Sequence, residues 1–217
     1  MLQFQLDPGA RAPTILLLGA HCDDIEIGCG ATVMRLVRRY PAARFVWVTL
    51  SSDQEREGET RRAAQQLLAG CDDVVIRIES FRGSYFPYEG AALKEYFESL
   101  KAYAPGLVLT HCRHDLHQDH RITHELTWNT FRNHTVLEYE IPKFDGDLAV
   151  PNVYVELTRS EVERKCEILM DCFPSQHARS WFSASTFEAL ARIRGIECNA
   201  EGGYAEAFFG RKLSLLA

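Results

Sequence analysis

Four aliphatic residues in a row, Ile15-Leu16-Leu17-Leu18, constrain this chain more than any other short segment. Successive strand residues point to opposite faces, so a continuous apolar run needs cover on both sides of a sheet. The run sits within residues 14–19, and residues 30–40 then repeat Val33, Met34, Leu36 and Val37 at helical spacing until Pro41. The alternation continues. Residues 44–50 (RFVWVTL) read as a strand, and residues 55–69 as a helix with Gly70 as its C-cap. Residues 74–78 read as a strand, residues 91–104 as a helix stopped by Pro105, and residues 107–110 as a fourth strand. Such an order predicts an α/β fold, a parallel sheet with helices on both faces.

The second half is less regular. Residues 116–131, 159–170 and 185–194 are expected to be helical, and residues 136–140 and 153–157 to be strands. No linker, repeat or low-complexity segment divides the 217 residues, which suits one domain. Hydrophobic residues at 46% and charged residues at 25% argue against disorder. The net charge of -6, with basic residues spread over helix faces at 35–39 and 56–62, argues against nucleic acid. No window approaches the roughly 18 apolar residues of a membrane span. Seven Cys with no CxxC pair, and twelve mixed residues at the start, are expected of a reduced, cytoplasmic protein.

Two polar clusters stand where the first and fourth strands end. Ala20-His21-Cys22-Asp23-Asp24 follows the first, and His114-Asp115-Leu116-His117-Gln118-Asp119-His120 follows the fourth. Parallel strands end on one edge, where ligands of such sheets bind, so the clusters are expected to meet across one crevice. Two His and one carboxylate leave metal positions open, as in a facial triad or a catalytic zinc site. A further acid can accept a proton from water that a metal has acidified, and a further His can donate to an oxyanion or a leaving amine. Asp119 can hold a His ring. Either cluster alone could be ordinary capping or a solvated loop; together they point to metal chemistry. The Gly28-Cys29-Gly30 turn lacks a third Gly, Val33 standing there, and is weak as a nucleotide signal.

These motifs resemble those of the LmbE-like, or PIG-L, family of metal-dependent deacetylases, in which Ala-His-Pro-Asp-Asp and His-x-Asp-His recur. Here they read Ala20-His21-Cys22-Asp23-Asp24 and His117-Gln118-Asp119-His120. Arg56-Glu57-Gly58-Glu59, Ser175-Gln176 and Tyr204-Ala205-Glu206-Ala207-Phe208 resemble further family signatures, so the likeness runs along nearly the whole chain. It implies a Rossmann-like three-layer sandwich with a mostly parallel sheet, a core at 1–135 and a part at 136–217 that completes the substrate pocket. It also implies a Zn2+ hydrolase, with Fe2+ or another divalent metal as alternatives, acting on an N-acetylated amino sugar or glycosylated metabolite. His21, Asp24 and His120 would bind the metal. Asp23 would be the general base, His117 the oxyanion donor, and Asp119 would orient a His ring. Arg56 would reach the sugar or its attached group.

Other residues are read less sharply. Arg82 and Tyr85, with Tyr88, lie in an aromatic loop at the ligand edge and are candidate substrate contacts, as are Gln176, Tyr204 and Glu206. Loop self-packing is the rival reading. His124, four residues after His120, is an alternative ligand, and His111 and His114 are expected to be core or loop residues. Cys22 stands where the family has Pro, and is expected to be a small buried group. Alternatives to the sugar deacetylase are a hydrolase of non-sugar amides, a non-enzymatic metal- or nucleotide-binding module, and a non-haem iron oxygenase. A homo-oligomer is compatible with all of them.

Overall fold

The computed structural model describes residues 12–213, so the twelve mixed residues at the start lie almost entirely outside the described part. Seven strands form one sheet: β1 Thr14–His21, β2 Arg44–Ser51, β3 Asp73–Ile78, β4 Leu107–His111, β5 Thr135–Tyr139, β6 Val153–Leu157 and β7 Tyr204–Gly210. Their order is β3-β2-β1-β4-β5-β7-β6. Strands β1 to β5 pair in parallel, and β7 runs antiparallel to both β5 and β6. Six helices are described: α1 Asp24–Arg39, α2 Gln54–Leu67, α3 Gly90–Leu100, α4 Gln118–Thr130, α5 Arg159–Cys172 and α6 Ala184–Glu197.

The apolar runs sort into two cores, one per face. Ile15, Leu17, Phe45, Trp47, Leu107 and Leu109 meet α1, α2, α5 and α6 on one side. Leu16, Leu18, Val46, Val48, Val108 and Val136 meet α3 and α4 on the other. Both faces of the central strands are covered, as the continuous hydrophobic runs require. The order reverses between β1 and β4, and the crevice for a ligand in such sheets opens there.

Four boundaries differ from the sequence reading. Helix α1 begins at Asp24, before the Gly28-Cys29-Gly30 turn, and breaks at Cys29, whose φ of -149 and ψ of 19 are not helical. Gly28 is needed because a Cβ there would lie 2.1 Å from the Tyr139 ring. Helix α3 ends at Leu100, followed by a short 3-10 turn over Lys101–Tyr103 and by Ala104 in the left-handed region at φ 46. Helix α4 begins at Gln118, leaving Leu116 exposed. The C-terminal signature at 204–208 is a buried strand, β7.

That strand changes the meaning of two candidate substrate contacts. The Glu206 carboxylate accepts the N–H groups of Ala31 at 3.1 Å and Thr32 at 2.6 Å, and a hydrogen bond from Lys165 Nζ at 2.6 Å. Lys165 also donates to the Ile27 carbonyl at 2.5 Å. The break in α1 thus frees backbone groups that this buried ion pair satisfies. Glu206, expected at the substrate, is spent inside the protein. Tyr204 turns its hydroxyl to Glu188 at 3.3 Å, with Arg192 over its ring, so these contacts are structural.

Glu206→Ala would leave the Lys165 ammonium buried without a countercharge and the Ala31 and Thr32 amides without their acceptor. Breaking a buried pair costs about 3–5 kcal/mol. At this chain length that lowers the melting temperature by roughly 6–20 °C. Thermal unfolding followed by circular dichroism checks it, and a shift below about 2 °C would show that the pair does not hold the break.

Candidate metal and catalytic site

Strand β1 ends at His21, and the chain turns into α1 through Asp23 at φ 95 and ψ -21. A non-glycine residue there is uncommon, and Asp is among those that tolerate it best. Asp23 occupies the N-cap position of α1 yet makes no side-chain capping bond. Asp24 instead accepts the His21 N–H at 2.7 Å. The pair is therefore not explained as ordinary capping.

His21, Asp24 and His120 converge. His21 Nδ1 lies 3.2 Å from His120 Nε2 and 3.6 Å from Asp24 Oδ2, and His120 Nε2 lies 3.5 Å from Asp24 Oδ1. Donors about 2.1 Å from one tetrahedral ion stand roughly 3.4 Å apart, so the spacing fits a metal. The far nitrogens are occupied. His21 Nε2 bonds Asp119 Oδ2 at 2.9 Å, and His120 Nδ1 bonds Asp115 Oδ2 at 2.8 Å. A carboxylate only accepts, so each takes the ring proton and leaves the lone pair of the other nitrogen facing inward.

Of the other imidazoles near the site, those of His117, His111 and His124 have their lone pairs engaged elsewhere. Donor atoms of His21, His117 and His120, and of Asp24, His111 and His120, also lie within 4.8 Å of one another. But His117 Nδ1 accepts the Asp119 N–H at 3.2 Å, which puts its proton on Nε2. His111, fully buried and stacked on His120, accepts the Ala20 N–H at its Nε2 at 3.0 Å, with Asp24 Oδ2 3.2 Å away. His111 is thus a core residue under the site, as expected. His124 is turned away: its Nδ1 donates to the His111 carbonyl at 3.0 Å and its Nε2 meets Arg211. His114 lies against Arg113 and Phe209.

The charges answer to this geometry. Burial opposes a charged His21 ring, yet Asp119 and Asp24 outweigh it and raise its pKa to about 9. Burial pushes the Asp23 carboxyl up to about 7, with Arg56 pulling it back. Asp24 is held well below the usual carboxylate range: burial opposes this, and His120 and His111 overcome it. Burial, with His111 beside it, lowers His120 to about 4, and burial and His21 lower His117. So His117 tends to be neutral, with an Nε2–H to donate.

Arg56, on α2, lies 3.2 Å from Asp23 Oδ1 and also donates to the Cys22 carbonyl. It is placed on the candidate base, where the sequence reading had it on the sugar. Cys22 is fully buried with its Sγ 3.2 Å from Ser52 Oγ, and burial raises its thiol to about 11. Asp119 does more than hold a ring. Its carboxylate also accepts the N–H groups of Ser84 at 2.5 Å and Phe86 at 3.2 Å, so it pins the aromatic loop beside His21. In that loop the Arg82 guanidinium stacks 3.5 Å from the centroid of the Tyr85 ring, which is partly exposed. Gln176 is buried between Ser175 Oγ at 2.9 Å and Arg179 Nε at 2.8 Å, and Ser175 is bound in turn by Glu59.

Three participants escaped the sequence reading. Asp115 sits inside the second polar cluster and could have been found as the one carboxylate there without a role. Lys143, 3.1 Å from Asp115, and Arg179, whose charge reaches Asp23, come from irregular segments that carry no pattern.

The model of the PIG-L family, described as GlcNAc-PI de-N-acetylase, matches residues 16–131. No curated protein matches the chain significantly. Solved structures share its fold, three of which illustrate the range. A conserved protein of Thermus thermophilus is 19% identical with a TM-score of 0.74, covering 94% of this chain and 97% of that one. The N,N'-diacetylchitobiose deacetylase of Pyrococcus horikoshii is 19% identical with a TM-score of 0.67, covering 92% and 84%. The 4-carboxy-2-hydroxymuconate hydratase of Pseudomonas putida is 15% identical with a TM-score of 0.73, covering 94% and 100%. At such identities the neighbours establish the α/β fold alone, and one of them is not a deacetylase. The family match takes in both polar motifs and more than half of the chain, which therefore belongs to the PIG-L family of de-N-acetylases.

Proposed function

We propose that this chain is a metal-dependent hydrolase that removes an N-acetyl group from an amino sugar or a glycosylated metabolite. The observation that carries the reading is the set of three inward-facing lone pairs on His21, Asp24 and His120, with the outer nitrogens locked by Asp119 and Asp115. These three residues would hold the ion. Nitrogen and oxygen donors suit zinc, and the same set suits ferrous iron. Bound there, a divalent metal supplies a Lewis acid that polarises an amide carbonyl and acidifies water.

The residues around it have matching roles. Asp23, with a carboxyl near neutrality, takes the proton of the attacking water and later gives it to the leaving amine. Arg56 keeps Asp23 in place from the α2 side. His117 donates from Nε2 to the oxyanion that forms on the acetyl carbon. Asp119 holds the His21 ring and the 82–88 loop, where Arg82 and Tyr85 would meet the sugar. Seven free cysteines and the lack of any membrane-spanning helix among the described residues fit a cytoplasmic enzyme.

The direct test is amine release from a panel of N-acetylated sugars beside N-acetylated amines without a sugar. Turnover of only the non-sugar amides would contradict the substrate class. Within that assay, Asp23→Asn should lower kcat/KM by about 100-fold or more while keeping the metal. Near-normal turnover would remove Asp23 from the base role. Asp119→Asn should weaken metal affinity about 10- to 100-fold and speed hydrogen exchange at residues 82–88. Unchanged affinity and unchanged exchange would show that Asp119 anchors neither.

A further inference from the structure

Two irregular segments outside the catalytic cluster, each tied to one of its motifs, meet at an aromatic contact. One follows β5. Its Lys143 is held between Asp115 Oδ1 at 3.1 Å and the Asp147 carboxylate, and Asp147 Oδ2 accepts the Leu116 N–H at 2.7 Å. Asp115 is the residue that fixes His120, so this segment is tied to the second motif. Yet the next side chain, Phe144, is 73% exposed, and Leu148 and Val150 nearby are exposed too. The other segment links α5 to α6. Buried Gln176 holds Arg179 and Ser175, Ser175 bonds Glu59 of α2 three residues after Arg56, which lies on Asp23 of the first motif, and the Phe182 N–H bonds the Arg179 carbonyl at 3.0 Å. Half-buried Trp181 stands between them, and its ring meets that of Phe144 edge to face at 6.4 Å and 88°.

Single exposed apolar residues are ordinary and need no explanation. What sets Phe144 apart is position. Its backbone is anchored by a shielded ion network one residue away, and its ring touches the segment tied to the opposite motif. We propose that Phe144 and Trp181 form an apolar rim to the catalytic crevice that recognises a carbon-rich group, aryl or alkyl, linked to the amino sugar. The inference rests on the amino-sugar reading and narrows it to a glycosylated, apolar substrate. A flat ring laid against Phe144 gains stacking and burial that a free sugar does not offer.

The test compares N-acetylglucosamine with its phenyl and octyl glycosides. Wild-type enzyme should favour the glycosides by about tenfold in kcat/KM. Phe144→Ser, a change at an exposed side chain, should abolish that preference and leave kcat/KM for N-acetylglucosamine unchanged, and Phe144→Tyr should keep it. Equal turnover of all three by wild type, or an undiminished preference in Phe144→Ser, would overturn the rim while leaving the deacetylase reading intact. A changed particle mass for Phe144→Ser in solution would assign the ring to a contact between copies and also overturn it. Turnover of none of the three, with release from other N-acetyl amines, would overturn the sugar reading itself.

Discussion

Two imidazole nitrogens facing each other at 3.2 Å with a carboxylate beside them are unfavourable unless something positive lies between them. In this chain the outer nitrogens of both rings are bonded to carboxylates, so neither inner nitrogen can satisfy the other by tautomer exchange. A proton is the minimal answer, and His21 can carry it because Asp119 and Asp24 outweigh burial and raise its pKa to about 9. A divalent cation is the answer that the spacing fits. Much of the surrounding structure serves to hold these groups in place at this cost. Asp24 is kept ionised by the histidines around it, and Asp115 is braced by Lys143.

The sheet makes the convergence possible. His21 ends β1 and His111 ends β4, adjacent parallel strands at the point where the strand order reverses. The left-handed turn at Asp23 then starts α1 so close to the sheet that Gly28 must lie against the Tyr139 ring. The helix breaks one residue later, at Cys29, and the Glu206–Lys165 pair satisfies groups freed at the break. The catalytic turn and the buried pair are thus one structural solution, reached by residues far apart in sequence.

Much of this was legible beforehand, for physical reasons. Strands β1, β2 and β4 are covered on both faces, so their runs are continuous and hard to mistake. Both motifs lie at strand ends, where packing gives no reason for charge. What stayed hidden depends on partners that no local pattern reveals. β7 carries a buried Glu206 in its middle and does not read as a core strand until Lys165 is seen beside it. The start of α1 was misplaced because glycines that serve a close approach look like a helix opening. Arg56 was assigned to substrate, although its nearest anion is Asp23. Lys143 and Arg179 act from segments with neither period nor motif.

The central claim is that His21, Asp24 and His120 hold a metal, and elemental analysis tests it most directly. Wild-type protein should carry about one zinc or iron per chain, and Asp24→Ala should carry little, because one of three protein ligands is gone. Full occupancy in Asp24→Ala would refute the ligand set. No metal in the wild type, even after zinc is offered, would refute the account of the site itself.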